Sequence, residues 1–288
     1  MTITGAYEDA GDGEPLVLIH GHPFNRSMWR PQIDHFRRAG MRVIAPDLRG
    51  YGENPAVHTP APGNSAPGKT AAGNTSPGKT TLETFARDIA GLLDHLKVER
   101  FVLGGLSMGG QIAMEFHRQF PDRISGMLLA DTFAAADTDE ARAVRRDTAD
   151  RLLREGMAGY AREVLPKMIA PRNIETQPAV ARHVLDMMRG TSPEGAAAAL
   201  RGRAERRDYT DLLSRITVPT LVVVGEEDEF TPVSDAELIA DRVPHASLKV
   251  IPQAAHMPNL ERPEEFNAAL QEFLEDLPAA RIPQSVER

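Results

Sequence analysis

Short apolar runs alternate along the chain with stretches in which apolar residues recur every three or four positions. The apolar runs predict strands at 16–19, 43–45, 101–103, 127–129, 221–224 and 248–251. Most of these runs are nearly continuous, which is typical of strands buried on both faces of a parallel sheet. Because helical patterns separate the strands, the sequence predicts a doubly wound, mostly parallel α/β sheet.

Two of the helical patterns have recognisable ends. The spacing of Thr80 and Glu83 predicts a capping box at the start of the first, and Pro263 lies in the first turn of the last. The apolar positions of the two patterns are Leu82, Phe85, Ile89, Leu92, Leu93 and Leu96, and then Phe266, Leu270, Phe273 and Leu274.

Two segments interrupt the alternation. Residues 134–214 contain several helical patterns and no convincing strand, which predicts a helical cap inserted into a core of residues 1–133 and 215–288. Residues 55–80 are rich in Gly and Pro and include a tandem ten-residue repeat at 61–80, whose copies share seven identical positions. Two copies are too few for a solenoid, so we expect a flexible loop.

Each copy of the repeat also matches the phosphate-binding pattern Gly-x4-Gly-Lys-Thr, at 63–70 and at 73–80. A functional site of this kind follows a buried strand and opens a helix. No predicted strand leads into either copy, so the sequence does not favour nucleotide binding.

Composition narrows the possible partners. The 288 residues carry a formal net charge of −8, which argues against a nucleic-acid-binding surface, and four arginines (Arg201, Arg203, Arg206 and Arg207) are expected on a solvated helix face. Cysteine is absent, so disulfides and thiolate metal sites are excluded. No apolar run approaches the ~18 residues that cross a bilayer, and the N-terminus shows no secretory signal. We expect a cytoplasmic protein with no membrane partner; a homo-oligomer is left open.

The strongest chemical signal is the segment Gly105-Leu106-Ser107-Met108-Gly109, directly after the strand predicted at 101–103. A serine flanked by glycines between a strand and a helix is the arrangement called a nucleophile elbow. The turn brings backbones so close together that only glycine fits at the flanking positions. It also holds the serine at a helix N-terminus, where developing negative charge is stabilised.

A nucleophilic serine needs a base, and an acid should orient that base. His256 lies on the loop after the last predicted strand, and Asp228 follows the strand before it. The order along the chain predicts a catalytic triad of Ser107, Asp228 and His256. Other interpretations stay open: Asp228 as a turn residue, His256 as a structural loop residue, and Asp131 as a rival acid or a buried hydrogen-bonding group.

Two backbone N–H groups, those of His22 and Met108, are predicted to form an oxyanion hole. His22 belongs to a turn after the first predicted strand, and Met108 follows the serine. The neighbouring His20 is expected to brace that turn. Five side chains on loops at the same sheet edge are the candidate substrate-binding residues: Phe24, Trp29, Phe133, Phe230 and Met257.

These motifs resemble the α/β-hydrolase family over nearly the whole chain. The stretch 45–52 looks like the family's arginine–glycine turn. The stretches 104–110 and 255–261 are most similar to 3-oxoadipate enol-lactonase-type hydrolases and small carboxylesterases, and non-haem haloperoxidases and perhydrolases share much of the pattern. The chain departs from the family at the 61–80 repeat and at Asn54, which stands where a serine is common.

The resemblance and the residues together imply a serine hydrolase that cleaves a small carboxylic ester or lactone through an acyl-enzyme, without metal or cofactor. The cap is expected to set the choice of substrate, which the pattern does not reveal. One alternative is a cofactor-free haloperoxidase or perhydrolase that uses the same triad. Another is a non-catalytic, ligand-binding member of the same fold.

Overall fold

The computed structural model describes residues 6–54 and 78–277. Its strands are β1 (Tyr7–Ala10), β2 (Pro15–Ile19), β3 (Arg42–Pro46), β4 (Phe101–Leu106), β5 (Ile124–Ala130), β6 (Thr220–Gly225) and β7 (Ala246–Ile251). They form one sheet in the order β1-β3-β2-β4-β5-β6-β7, parallel except for β1. The predicted doubly wound, mostly parallel sheet is confirmed, and each of the six predicted strands overlaps one of β2–β7.

The hydrophobic pattern does not predict the edge strand β1. Its four residues are mostly half-buried and include Glu8 and Asp9, so they form no apolar run. β1 pairs antiparallel with β3, and Asp9 forms an ion pair with Arg42 of that strand at 2.7 Å. An antiparallel edge strand can leave one side in water, so it lacks the continuous apolar signal of the central strands.

The helices follow the strands in the expected alternation. They are α1 (Arg30–Arg38), α2 (Leu82–His95), α3 (Met108–Gln119), α4 (Asp139–Glu155), α5 (Met157–Met168), α6 (Pro171–Thr176), α7 (Pro178–Gly190), α8 (Pro193–Ala204), α9 (Thr210–Leu213), α10 (Val233–Arg242), α11 (Pro258–Glu261) and α12 (Pro263–Glu275). The predicted capping box of α2 is wrong by one residue, because the side chain of Thr81, not Thr80, accepts a hydrogen bond from the N–H of Thr84 at 3.2 Å.

The sheet separates two hydrophobic layers. Successive residues of a strand point to opposite faces, so Leu103 and Leu129 belong to the first layer, while Val102 and Leu128 belong to the second. Helices α2, α3, α9 and α10 cover the first layer, and α1, α12 and the cap helices α5 and α7 contribute to the second. Burial of both faces explains why the central strands have continuous apolar sequences.

Helices α4–α9 lie between β5 and β6, inside the segment 134–214 that the sequence assigns to a cap. Residues 55–77, which carry most of the predicted flexible loop and of the tandem repeat, lie outside the described residues. Among the helices that the structure describes, none is long and apolar enough to span a bilayer.

Helix α8 packs on the core backbone through two glycines. A Cβ at Gly195 would overlap the backbone of Gly50, and a Cβ at Gly202 would overlap the backbone of Thr80. The N–H of Thr80 also donates to the carbonyl of Ala198 at 3.0 Å. Because residues seven apart lie on one face of a helix, these contacts fix α8 along two turns.

Gly195→Ala should lower the free energy of unfolding by roughly 1–3 kcal/mol, because the added methyl group forces α8 away from the core. Gly159→Ala is the matched control, since an added Cβ there has no heavy atom within 4 Å. The better helix propensity of alanine should make that variant more stable by up to about 1 kcal/mol. Urea denaturation measures both changes, and equal stabilities of the two variants would contradict the close packing of α8.

Candidate active site

Ser107 occupies the tight turn between β4 and α3. Its backbone has φ 58° and ψ −117°, a conformation that a residue with a side chain adopts only under strain. A Cβ at Gly105 would overlap the backbone of Gly109, and a Cβ at Gly109 would overlap the carbonyl group of Ile19. The N–H of Ser107 donates to the carbonyl of Ala130 at 2.9 Å, which ties the turn to the end of β5.

His256 and Asp228 meet on the loops that follow β7 and β6. The two side chains are buried, and Nδ1 of His256 lies 2.8 Å from Oδ2 of Asp228. The N–H groups of Phe230 and Thr231 donate to Oδ1 of Asp228 at 2.8 and 3.2 Å, and the Thr231 hydroxyl donates to Oδ2. Burial opposes ionisation of Asp228, but the charge of His256 and these hydrogen bonds outweigh it and lower the pKa of Asp228.

Asp131, the rival acid, lies beside this pair. Polar side-chain atoms of Asp131, Asp228 and His256 lie within 4.8 Å of one another. Oδ1 of Asp131 accepts the N–H of Gly225 at 2.9 Å, and its Oδ2 has no hydrogen-bond partner in the described part of the chain. Burial and the charge of Asp228 raise the pKa of Asp131 well above its ordinary value. The surroundings therefore shift the pKa values of the two carboxyl groups in opposite directions.

These three residues are of types that bind metal ions. However, both carboxylate oxygens of Asp228 already accept hydrogen bonds from His256, Phe230 and Thr231. An ion at this cluster would therefore have to displace hydrogen bonds that Asp228 already accepts.

The turn after β2 places two histidines below the cap. Nδ1 of His20 lies 2.8 Å from the carbonyl of the next residue, and its Nε2 accepts the N–H of Leu48 at 2.9 Å, so the ring braces the turn. Burial lowers the pKa of His20 to about 4. Nδ1 of His22 lies 2.8 Å from the hydroxyl of Tyr51. Met108 is the first residue of α3, so its N–H has no acceptor within that helix, as an oxyanion donor requires.

A cavity of about 360 Å³ lies where the sheet edge meets the cap. Ser107 and His256 both line it, so the hydroxyl and the imidazole face the same space. Cap residues, among them Tyr160, Met168 and Leu200, supply the opposite wall. The volume is at the lower end of the range of about 300–1,000 Å³ for small-molecule sites, which indicates a small ligand.

Two of the five candidate substrate-binding residues, Phe133 and Phe230, line this cavity. The structure places the other three elsewhere: Phe24, Trp29 and Met257 are fully buried in the second hydrophobic layer. The indole ring of Trp29 packs against an aromatic ring of α12, with centroids 6.1 Å apart. Large apolar side chains beside a sheet edge gain more free energy from complete burial than from lining an open cavity, so these three are core residues.

The arginines of α8 and the segment after it do not all lie in solvent. Arg203 and Arg206 are only 6% and 5% exposed, so the predicted solvated face is wrong for them. The side chain of Arg207 is exposed, at 49%, and that of Arg201 is half-buried, at 33%. Sequence reasoning missed Arg203 as a cavity residue because charged residues in a helix are usually exposed. The two glycines of α8, seven positions apart, are the signal that marks it as a closely packed helix.

Glu261 connects the cap to the loop that carries His256. Oε1 of Glu261 accepts the N–H of Ala255 at 2.8 Å. Its Oε2 accepts the N–H of Ala170 at 2.9 Å and the side-chain amide of Asn173 at 2.6 Å. Burial raises the pKa of Glu261, although these hydrogen bonds oppose the shift. The buried carboxyl group of Glu261 therefore links the loop that carries His256 to the cap.

Asp131→Asn should preserve the hydrogen bond from Gly225 and replace a buried carboxyl group by an amide that does not titrate. Asparagine also tolerates the backbone conformation of this residue, at φ 45°. The folded-state pKa of Asp131 lies above its unfolded value of about 3.9. Its contribution to stability is complete below the unfolded pKa and is lost as the pH rises through the folded pKa. As the pH rises, the free energy of unfolding of the variant should therefore increase relative to that of the wild type, by up to about 1.4 kcal/mol per unit of the pKa shift.

Urea denaturation of the wild type and of Asp131→Asn, at about pH 5 and about pH 8, measures this gain. A constant difference between the two proteins at both pH values would show that Asp131 does not titrate as its surroundings require.

The chain is similar to known α/β hydrolases in both sequence and structure. A family model described as the alpha/beta hydrolase fold matches residues 14–263. A thermophilic esterase from Thermogutta terrifontis, solved with malate bound, is 40% identical with a TM-score of 0.85, over 94% of this chain and 93% of that one. The 3-oxoadipate enol-lactonase 2 of Acinetobacter baylyi is 30% identical, over 90% of this chain and 88% of its own length. A bromoperoxidase from Bacillus anthracis is 25% identical with a TM-score of 0.78, over 94% and 95% of the two chains.

The match covers the sheet from β2 to β7 and the cap between β5 and β6. The turn around Ser107 and the loops of Asp228 and His256 also lie within it. The chain therefore belongs to the α/β-hydrolase family, among hydrolases of the esterase, lactonase and haloperoxidase type.

Proposed function

We propose that the protein is a serine hydrolase that cleaves a small carboxylic ester or lactone through an acyl-enzyme. One observation carries the proposal: the contact between His256 and Asp228 orients an imidazole at the wall of the cavity that Ser107 also lines. The likeness to an esterase and to an enol-lactonase supports the same class of reaction.

In the first step the hydroxyl oxygen of Ser107 attacks the carbonyl carbon of the substrate, and Nε2 of His256 accepts the hydroxyl proton. Asp228 accepts the hydrogen bond from Nδ1, which holds the imidazole in the productive tautomer and stabilises it once it is charged. The lowered pKa of Asp228 supports this role, because only the ionised carboxylate can stabilise the imidazolium.

The carbonyl oxygen becomes negatively charged in this step. The backbone N–H groups of His22 and Met108 are the proposed donors to it, each typically worth about 10²–10³ in rate. His256 then gives its proton to the leaving alkoxide oxygen, and the ester C–O bond breaks. A water molecule attacks the acyl-enzyme and gives a proton to His256, which returns it to the Ser107 oxygen as the acid leaves. No step of this scheme requires a metal ion or a cofactor.

A perhydrolase or haloperoxidase would use the same residues, and the likeness to a bromoperoxidase supports that alternative. Hydrogen peroxide would then replace water in the attack on the acyl-enzyme, and a peracid would leave and oxidise halide. Assays with acetate, hydrogen peroxide and bromide separate the two activities. Peracid formation faster than ester hydrolysis would replace the esterase proposal with this one.

Ser107→Ala should lower kcat for p-nitrophenyl acetate by about 10⁵- to 10⁶-fold, because the attacking oxygen is lost. Ser214→Ala is the matched control. The Ser214 hydroxyl contacts only a backbone carbonyl at the surface in the described residues, so that variant should keep its activity. A fluorophosphonate probe should label the wild type and the control at Ser107, as mapped by mass spectrometry.

Full ester hydrolysis by Ser107→Ala would remove this serine from the mechanism. A wild-type protein that neither hydrolyses esters nor reacts with the probe would instead be a non-catalytic, ligand-binding member of the family.

A further inference from the structure

Arg203 contributes a positive charge to the proposed catalytic cavity. Its side chain lines the cavity although the residue is only 6% exposed. The Nε atom donates to the side-chain carbonyl of Gln111 at 3.1 Å. Gln111 lies in the first turn of α3, the helix that begins directly after Ser107. The guanidinium group is therefore tethered to the helix of the proposed nucleophile.

This buried cation forms no ion pair within the described part of the chain. Within residues 6–54 and 78–277, no carboxylate oxygen forms an ion pair with Arg203. Asp137 lines the same cavity but is bound by Arg145 at 2.6 Å and by Arg206 at 2.7 Å. Although burial opposes it, the hydrogen bonds from these two arginines lower the pKa of Asp137 to about 2. Arg145 and Arg206 thus compensate the charge of Asp137, which leaves the Arg203 guanidinium without a carboxylate in direct contact among the described residues.

Asp235 is the second acidic residue among those that line the cavity. Burial and the charge of Asp228 raise the pKa of Asp235, which places it within the influence of the proposed catalytic acid. By contrast, burial and the charges of Arg145 and Arg206 lower the pKa of Arg203 well below its ordinary value. That direction is the expected one for a cation that lacks a counter-charge.

His22 also lines this cavity and carries a second buried polar atom without a partner among the described residues. The residue is 4% exposed, and its Nε2 atom has no hydrogen-bond partner in the described parts of the chain. Its Nδ1 lies 2.8 Å from the hydroxyl of Tyr51. Burial lowers the pKa of His22, and the charge of the Arg203 guanidinium lowers it further. Buried polar atoms without partners are rare, and one on a residue that lines a cavity favours a ligand atom nearby.

We propose that Arg203, with Nε2 of His22, forms a carboxylate-binding subsite, so that the preferred esters or lactones carry a second, free carboxylate. This inference rests on the proposed hydrolase function. A buried guanidinium without an acid is unfavourable, and a carboxylate can bind it through two parallel hydrogen bonds.

The negative charge of the whole chain restricts favourable binding of anions to the cavity. A net charge of −8 repels anions from the protein as a whole. Inside the cavity, however, low-dielectric walls strengthen the attraction of an anion to the arginines. The volume of about 360 Å³ restricts the ligand to a small molecule.

Two substrates of the same shape test the proposal: monomethyl succinate, which carries a carboxylate, and methyl succinamate, in which a neutral amide replaces it. The wild type should show a kcat/KM at least about tenfold higher for monomethyl succinate. Arg203→Gln should lower that value about 10- to 100-fold, the usual effect of losing a hydrogen bond to a charged group. The value for methyl succinamate should change less than about threefold.

Two further variants distinguish a binding role from a structural one. Arg203→Lys keeps the positive charge and should retain part of the preference for the carboxylate. Arg201→Gln should behave like the wild type, because Arg201 of the same helix pairs with Asp150 at 2.7 Å and is not among the residues that line the cavity. A wild type without preference overturns the proposal, as does an equal loss on both substrates in a folded Arg203→Gln protein. If Arg203→Gln does not fold, two results test the proposal instead: the preference of the wild type for monomethyl succinate, and the part of that preference that Arg203→Lys retains.

A binding measurement separates this inference from the proposed function. Succinate should raise the Tm of the wild type, succinamide should not, and Arg203→Gln or Arg203→Lys should reduce the shift. Stabilisation by succinate without any ester hydrolysis would reject only the proposed function. Hydrolysis of p-nitrophenyl acetate with no effect of succinate on the Tm would reject only the carboxylate subsite.

Discussion

The close backbone contact around Ser107 is the constraint on which the candidate site depends. Gly105 and Gly109 leave no room for side chains, and Ser107 is held at φ 58° between them. This strained turn persists because β2 and β5 pack on either side of β4, at the carboxyl edge of the sheet. The loops after β6 and β7 open at the same edge, so Asp228 and His256 meet there and His256 lines the cavity that Ser107 also lines.

The cap gives the cavity an electrostatic character that the sheet edge alone lacks. Helix α8 rests on the core at Gly195 and Gly202, where backbone meets backbone and side-chain repacking cannot absorb a shift. Its position therefore determines where Arg203 enters the cavity. Glu261 joins another part of the cap to the loop of His256. The proposed anion-binding group and the proposed base are thus both fixed by how the cap is seated.

The central sheet and the sharp turn at Ser107 were accessible from the sequence because each depends on local information. Strands buried on both faces need continuous apolar runs, and the turn at Ser107 needs glycine on both sides. The failures occur where local signals are weak. β1 has the mixed pattern of an edge strand, and at the start of α2, Thr80 and Thr81 are both acceptable N-caps, so the spacing of a capping box selected the wrong one.

The sequence by itself determined the order of the strands along the chain, the sharp turn and the types of the reactive residues. Only the tertiary structure decided in which direction the pKa of each of two aspartates shifts, and whether Arg203 lies in solvent or in a cavity. It also placed Phe24 and Trp29 in the core. The reason is physical: propensity and spacing act between near neighbours, whereas burial and charge compensation depend on segments that are distant in sequence and meet only after folding.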